Sequence, residues 1–397
     1  MATSMTEAAG TEAAGTEAAG ASVVIVGGGV TGLSAGWWLA RSGVDVLVLE
    51  RGIVGWEASG RNGGGCSHAL SPLFQEEQRL WPLLDEMLGY STEFRPGRIR
   101  IACDSKQFDL YRHLARAGEH QGFATDILDP AQTRAAVPLA GDGVVGAYHY
   151  RFGGHANPHR TAQAYAWAMQ DCGGRVRQHT TVLGFETEGG RVRGVRTEHG
   201  TIGCDALVIA AGPQTGKLAA MLDVHVPLAA ARAEMIVTEP LPLMPLGGVD
   251  GNGLYGRQTL RGNLAYGGGP HEWIALPDSM APPPRSATPL LGPIAGRLAT
   301  LFPKARHARV IRSWAGIIEN TPDGRPVIER LRAPDNVVIA TLSSIGFGLS
   351  PASGHAIRDL VVDGECSFAD LSTLRLSRFT DLERDWAQRR GWVPLAA

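Results

Sequence analysis

Apolar, mostly β-branched residues fill positions 22–26, and the run stops at Gly27. A short unbroken run of this kind predicts a strand buried on both faces of a parallel sheet. Residues 33–42, rich in Ala, Leu and Trp, predict a helix, and residues 44–49 predict a second strand ending at Glu50. Strand, glycine turn, helix and strand within about thirty residues make one βαβ unit.

Further along, the pattern shortens. Residues 182–209 alternate in brief segments broken by Gly189-Gly190 and His199-Gly200, which predicts a three-strand meander. It feeds a strand at 206–209 that halts at Ala210-Ala211-Gly212. Residues 75–140 read as mixed helix and loop, and strand-like runs recur at 234–238, 254–259 and 263–267. Pro282-Pro283-Pro284 reads as a linker before a helix at 290–301. A strand at 337–340, a turn at 346–351 and a helix from Gly354 return to α/β character. The expected fold class is therefore α/β: a discontinuous Rossmann-like dinucleotide domain with an inserted α+β, antiparallel-sheet substrate domain. Segments 22–74, 151–225 and 321–397, the last with a C-terminal helix, are assigned to the first; 75–150 and 226–320 are assigned to the second.

The start of the chain fits neither domain. TEAAG occurs three times between Thr6 and Gly20, and a glycine every five residues breaks any helix. Residues 1–21 are expected to be a disordered, low-complexity leader.

Composition narrows the classes. The chain is 44% hydrophobic and 19% charged, as in globular proteins with a substantial core. A formal net charge of -2 leaves no basic surplus for a nucleic-acid partner. The five cysteines are widely spaced without a CxxC pair, so no metal or iron–sulfur site is expected, and free thiols suit a reducing cytoplasm. No apolar run reaches the ~20 residues of a membrane span, and no secretory signal is visible.

The turn Gly27-Gly28-Gly29-Val30-Thr31-Gly32 has the GxGxxG spacing in its full context. Gly27 permits the tight turn, Gly29 lets the backbone approach a pyrophosphate, and Gly32 lets the helix pack close to the sheet. Amides of Val30 and Thr31 at the helix N-terminus would face phosphates. Glu50, eighteen residues beyond Gly32, is placed for the adenosine ribose, with Arg51 beside it. Two more elements favour FAD over NAD. Val182 opens the meander that leads to Ala210, Ala211 and Gly212, the usual second ADP-contacting element of flavoproteins. Gly346, Phe347, Gly348, Leu349 and Ser350 precede a helix whose N-terminus would stabilise negative charge on reduced flavin.

The sequence resembles the D-amino-acid-oxidase-like flavoproteins from Ser22 to about Phe379. The resemblance rests on VVIVGGGVTGLSAGWWLARSGVDVLVLE, ASGRNGGG at 58–65, VIAAG at 208–212, TPDGRPVI at 321–328 and GFGLSPASG at 346–354. GGHANPHR at 153–160 and the run from Tyr255 to Gly269 resemble the β subunits of heteromeric sarcosine oxidase, opine oxidase, D-hydroxyproline dehydrogenase and hydrogen cyanide synthase. The resemblance implies oxidation of a C–N bond, with hydride passing to flavin N5 and water hydrolysing the imine. It implies non-covalent FAD here, since the region of the attachment Cys in monomeric relatives reads Trp314-Ala315-Gly316-Ile317-Ile318. Ile318 stands where glycine and D-amino-acid oxidases carry a carboxylate-binding Arg. Gly348 replaces the Lys of the sarcosine oxidase β subunit, which makes sarcosine itself a poorer candidate.

Ser59, Gly60, Arg61, Asn62, Gly63 and Gly64 form the loop that in these families passes near the flavin, so Arg61 is a candidate for cofactor or substrate contact. Tyr255 and Arg257 alternate on one strand and share a face. They are candidates for contacting a substrate carboxylate, Arg257 in place of the missing clamp; the alternative is an exposed sheet face with a solvated Arg. His271 is a candidate pocket residue, and Trp314 either packs near the flavin or is a core Trp. His155 and His159 flank Asn157-Pro158, which suits a helix start rather than a metal site. Cys66 reads as a buried thiol.

Two enzymatic classes follow, beside a third, non-enzymatic one in which a subunit holds FAD only structurally and contributes an interface. The first is the FAD-bearing subunit of a hetero-oligomer acting on a small amino acid, imino acid or secondary amine, with FMN and an iron–sulfur cluster on companion subunits. The second is a self-sufficient FAD oxidase that passes electrons to oxygen.

Overall fold

The computed structural model describes residues 20–66, 71–120, 123–276, 288–383 and 385–389. Residues 1–19 of the expected leader and Pro282-Pro283-Pro284 lie outside the described residues. The apolar run forms strand β1 (Ala21–Val26), which leads through the glycine turn into helix α1 (Val30–Arg41) and strand β2 (Val46–Leu49). Strand β1 pairs in parallel with β2 on one side and with Gly200–Ile209 on the other. Val337–Thr341 extends the sheet in parallel, and Val327–Arg330 closes that edge antiparallel to it. Arg175–Arg177 closes the other edge.

The unbroken hydrophobicity of these strands has its reason in two cores. Val23 and Ile25 pack on one face with α1, Pro158–Asp171 and Gly346–Val362. Val24 and Val26 pack on the other with the meander and Thr215–Ala220. The meander's third strand and the sheet strand are one element. Gly200 to Gly203 pair antiparallel with Arg191–Thr197, and from Cys204 to Ile209 the same strand pairs in parallel with β1.

Among the described residues the inserted sheet has ten strands, in the order Glu272–Ile274, Ala229–Pro240, Asn263–Gly268, Leu254–Gln258, Val249–Gly251, Arg95–Ala102, Gly146–His155 and β3 (Gly65–Cys66), with Val310–Asn320 and Thr125–Leu128 off that path. Its pairs are antiparallel except Val249–Gly251 with Arg95–Ala102.

Three expectations change. Residues 75–140 are not only helix and loop, for they hold the strands Arg95–Ala102 and Thr125–Leu128. Arg98 and Arg100 disguised the first as a polar segment; Arg98 is in fact buried, in bidentate contact with Asp250 at 2.8 and 2.6 Å. Helix α1 starts at Val30 rather than 33, because the last residues of the glycine turn already belong to it. The expected turn at 346–351 is itself helical. The helix Gly346–Val362 begins there and contains Pro351, and Trp38 Nε1 donates to the Pro351 carbonyl at 3.1 Å.

Candidate functional site

A cavity of about 800 Å³ runs along the carboxyl ends of the parallel strands, where open α/β sheets take ligands. Its size is near the top of the ~300–1,000 Å³ range of small-molecule sites. Gly27, Gly29, Val30 and Thr31 line it. Gly27 has φ 115°, and a Cβ on Gly32 would collide with the Gly27 carbonyl oxygen. Gly29 is the N-cap of α1 and offers no side-chain cap; Val30 N donates to Ser59 Oγ at 2.9 Å. A helix N-terminus open to a cavity in this way favours an anionic group.

Glu50 Oε2 accepts from Gly28 N at 2.8 Å, and Oε1 accepts from Gly52 N at 2.7 Å. The carboxylate is thus oriented by backbone amides, and each oxygen keeps a lone pair for a hydroxyl donor. Arg51, Val182, Ala210, Ala211 and Gly212 line the cavity as well. So do Leu183 and Met221, apolar side chains that stand 52% and 50% exposed. Sequence reasoning missed both, since neither belongs to a motif. A flat aromatic ring laid over them would remove that apolar surface from water.

The far end is built from Asn62, Gly346 and Phe347 on one side and Ile274, Ile317 and Ile318 on the other. Helix α2 (Ala58–Arg61) delivers Asn62, whose Nδ2 donates to Ala58 O and Ser59 O at 3.1 and 2.7 Å and whose Oδ1 accepts from Gly64 N at 2.8 Å. Between the two ends, Ser343 and Ser344 adopt φ of 47° and 65°. Left-handed backbone of this kind costs a non-glycine residue roughly 1–2 kcal/mol. Ser343 Oγ accepts from Thr321 N at 3.1 Å, which helps to hold it. Glu319 lines the cavity beside this turn, and it too escaped the sequence reading.

Several expected contacts lie outside the lining. Gly60 packs against the His159 imidazole, and Asn157 caps the helix Pro158–Asp171 that carries His159. Arg61 donates to Ala315 O at 2.8 Å, while its own carbonyl accepts from Trp314 Nε1 at 2.9 Å. Together Arg61 and Trp314 fasten α2 to the inserted sheet. The Arg61 guanidinium also lies over Trp56, 4.9 Å from the ring centroid. Gly348 O accepts from Trp81 Nε1 at 2.7 Å, Leu349 sits in the core, and Ser350 O accepts from Ser34 Oγ. These three residues therefore anchor the helix rather than line the cavity. Cys66 is buried and donates to Gly64 O at 3.4 Å.

Tyr255 and Arg257 do share a face, on the strand Leu254–Gln258 that abuts Gly63 and Gly64. Arg257 is buried, which removes the reading of a solvated Arg. It donates to Gly63 O at 3.0 Å, and burial lowers its pKa to about 10. Burial pushes the Tyr255 phenol up to about 12 and, with Arg297 adding to it, pulls His271 down to about 4. The Tyr255 and His271 rings meet edge-on at 6.2 Å.

Residues 22–360 match the model of the DAO family, described as FAD dependent oxidoreductase. The chain belongs to this family. It is 28% identical over 357 residues to a sarcosine oxidase β subunit of Rhodobacter capsulatus, covering 86% of this chain and 85% of the relative. It is 29% identical to one of the subunits of an opine oxidase of Rhizobium meliloti, covering 90% and 97%. Glycine oxidase of Geobacillus kaustophilus is 28% identical over 385 residues, and its crystal structure superposes with a TM-score of 0.82 over 90% of this chain and 98% of that one. This DAO-family flavoprotein is thus an FAD-dependent oxidoreductase acting on amine or amino-acid donors. FAD, when bound, supplies the acceptor for the substrate's electron pair. The chain's own residues bind, orient and exclude water.

Proposed function

We propose that this chain is the FAD-bearing, β-type subunit of a heteromeric dehydrogenase or oxidase. Its substrate is a small amino or imino acid or secondary amine of the hydroxyproline, proline, opine or sarcosine-like class. The observation that carries the reading is similarity to chains named as single subunits of a sarcosine oxidase and an opine oxidase, over 85% and 97% of their lengths. FMN and an iron–sulfur cluster belong, in this reading, to companion subunits. Five free thiols support a place in the cytoplasm, and among the described residues no helix is long and apolar enough to cross a membrane.

FAD is placed with its adenosine against Val182, Leu183, Met221 and Glu50, its pyrophosphate at the N-terminus of α1, and its ring between Asn62, Ile318 and Phe347. The cations of the lining, Arg51 and Lys217, are both at the adenosine end. The ring end is apolar, so a bound amine there is favoured as the free base, the form that can release hydride. Anaerobic bleaching of the flavin across D- and L-amino acids, N-methyl amino acids, imino acids and opines tests the class. Bleaching by none of them removes the reading.

A substrate carboxylate would need a cation from beyond the lining, and Arg257 is the candidate. It has no carboxylate within ion-pair reach among the described residues, and a buried guanidinium without a counter-ion is a strong anion receptor. Arg257→Met is expected to raise KM for a carboxylated substrate about 100-fold, since one charge-assisted pair is worth about 2–3 kcal/mol. An unchanged KM eliminates Arg257 as the clamp.

The similarity to glycine oxidase over nearly its full length favours a second reading, a self-sufficient oxidase. Hydrogen peroxide released by the purified single chain would select it. Dependence on co-expressed partners and an artificial acceptor would select the first.

A further inference from the structure

Glu319 lies at the end of the strand Val310–Asn320 and projects into the middle of the cavity, between two turns at the ends of parallel strands. Its Oε1 accepts from Thr341 Oγ1 at 3.3 Å and from Leu342 N at 3.2 Å, both on the turn after Val337–Thr341. Its Oε2 lies 3.8 Å from the point where a Cβ on Gly212 would stand. Both of these hydrogen bonds fall on Oε1, and no Lys or Arg pairs with Glu319 among the described residues.

The order of elements along the cavity decides what lies opposite. Glu50 follows β2, the glycine turn follows β1, and Gly346 and Phe347 open the helix at the other end. With adenosine at the first, pyrophosphate at the second and the ring at the third, the part of FAD left over the Thr341–Ser344 turn is the polyol that joins pyrophosphate to ring. We propose that Glu319 is a cofactor-positioning residue whose Oε2 hydrogen-bonds the ribityl hydroxyls of FAD. This rests on the placement of FAD proposed above.

The chemistry of the group agrees. Burial raises the Glu319 pKa, and hydrogen bonds from its own backbone amide, from Leu342 N and from Thr341 Oγ1 only partly oppose this. A pyrophosphate nearby pushes in the same direction, because like charge disfavours the carboxylate. A carboxyl group offers acceptor lone pairs to a row of hydroxyls, and a donor as well whenever it carries its proton. Asn320, the next residue, has a buried Nδ2 without a partner, and its Oδ1 accepts from Ser344 Oγ at 3.4 Å. The polar groups on this segment therefore exceed the partners the protein itself supplies. Ser343 and Ser344, the strained pair, lie directly across from it.

The test is equilibrium binding to flavin-stripped protein, read by flavin fluorescence for FAD and by competition against FAD for ADP, which has the pyrophosphate and lacks the ribityl chain. Glu319→Leu should weaken FAD about tenfold, the scale of one or two neutral hydrogen bonds, and leave ADP unchanged. Glu319→Gln, which keeps a donor and an acceptor, should bind FAD within about twofold of the parent protein. Unchanged FAD affinity in Glu319→Leu overturns the inference. Equal loss for FAD and ADP also overturns it, since the residue would then act only by shaping the strand ends. If Glu319→Leu does not fold, Glu319→Ala is read by the same criteria. Failure of ADP to compete with FAD in the parent protein would instead refute the placement of the cofactor.

Discussion

Gly32→Val is expected to give a folded chain that leaves purification with little or no flavin. Gly32 is the third residue of α1, and any Cβ there collides with the carbonyl oxygen of Gly27. That obstacle is backbone, so no side-chain rotamer relieves it. Either α1 moves away from β1, or the glycine turn opens. Both displace Val30 and Thr31, the first helical residues lining the cavity. The Ile25 side chain closes the remaining space at 3.2 Å, so tilting the helix also meets the core. Overpacking a well-filled site costs roughly 1–3 kcal/mol, and here the upper figure applies. Affinity for FAD should fall by about 100-fold, measured by titrating flavin-stripped protein. Far-ultraviolet circular dichroism should change little, because the core packed between the main sheet and its helices draws on many residues distant from this turn. Retention of stoichiometric FAD by Gly32→Val would mean that the turn does not set the position of α1.

How far this site is legible from sequence depends on how local its signals are. The glycine turn, Glu50 and the meander carry their information within short windows, and the structure places them as the patterning implies. Leu183, Met221 and Glu319 reach the same cavity without a local signature. Leu183 reaches it through the pairing of the meander with Gly200–Ile209, Met221 from the end of Thr215–Ala220, and Glu319 from the inserted-sheet strand Val310–Asn320. Arg95–Ala102 was unreadable for a different reason. Charged residues ordinarily mark a solvated face, and only Asp250, more than 150 residues away, makes Arg98 a core residue. Arg61 and Trp314 show the converse. Arg61 is a candidate for ligand contact from its loop and Trp314 is open between flavin packing and the core, and long-range hydrogen bonds show that both fasten α2 to the inserted sheet. Gly348, Leu349 and Ser350 follow the same rule, for a helix presents only its first residues to a site at its end.

That fastening bears on catalysis, because the cavity is walled by both sheets. The main sheet supplies the glycine turn and Glu50. The inserted sheet supplies Ile317, Ile318 and Glu319. A change that lets the inserted sheet shift relative to α2 is expected to widen the end of the cavity lined by Ile317 and Ile318, even where no lining residue is altered. The polar groups beneath Gly63, Gly64 and β3 brace the same junction.

Asp250→Ala is expected to lower the unfolding free energy by about 3–5 kcal/mol, the range for removing one partner of a buried ion pair. Asp250 accepts both bonds of the Arg98 fork, lies 3.9 Å from Arg100, and receives a bond from Gly256 N at 3.4 Å. Burial alone would lower the Arg98 pKa, and Asp250 more than offsets that. Without Asp250, Arg98 is left charged in the core, close to Arg257, which has no ion-paired acid among the described residues. Two cations then share one buried region beneath Gly64 and Gly65, the segment that both guanidinium groups touch. Their repulsion acts on the loop that carries Asn62, so KM should rise together with the loss of stability. Replacing both partners, Arg98→Met with Asp250→Leu, removes the charges along with their desolvation and should recover most of the lost stability. Urea denaturation of the holoprotein, followed by flavin fluorescence and by circular dichroism, separates the cases. If the single variant unfolds at the same urea concentration as the parent, the pair is not what holds Arg98 in the sheet. If the double variant is no better than the single one, the loss arises from packing at position 250 rather than from an unpaired charge.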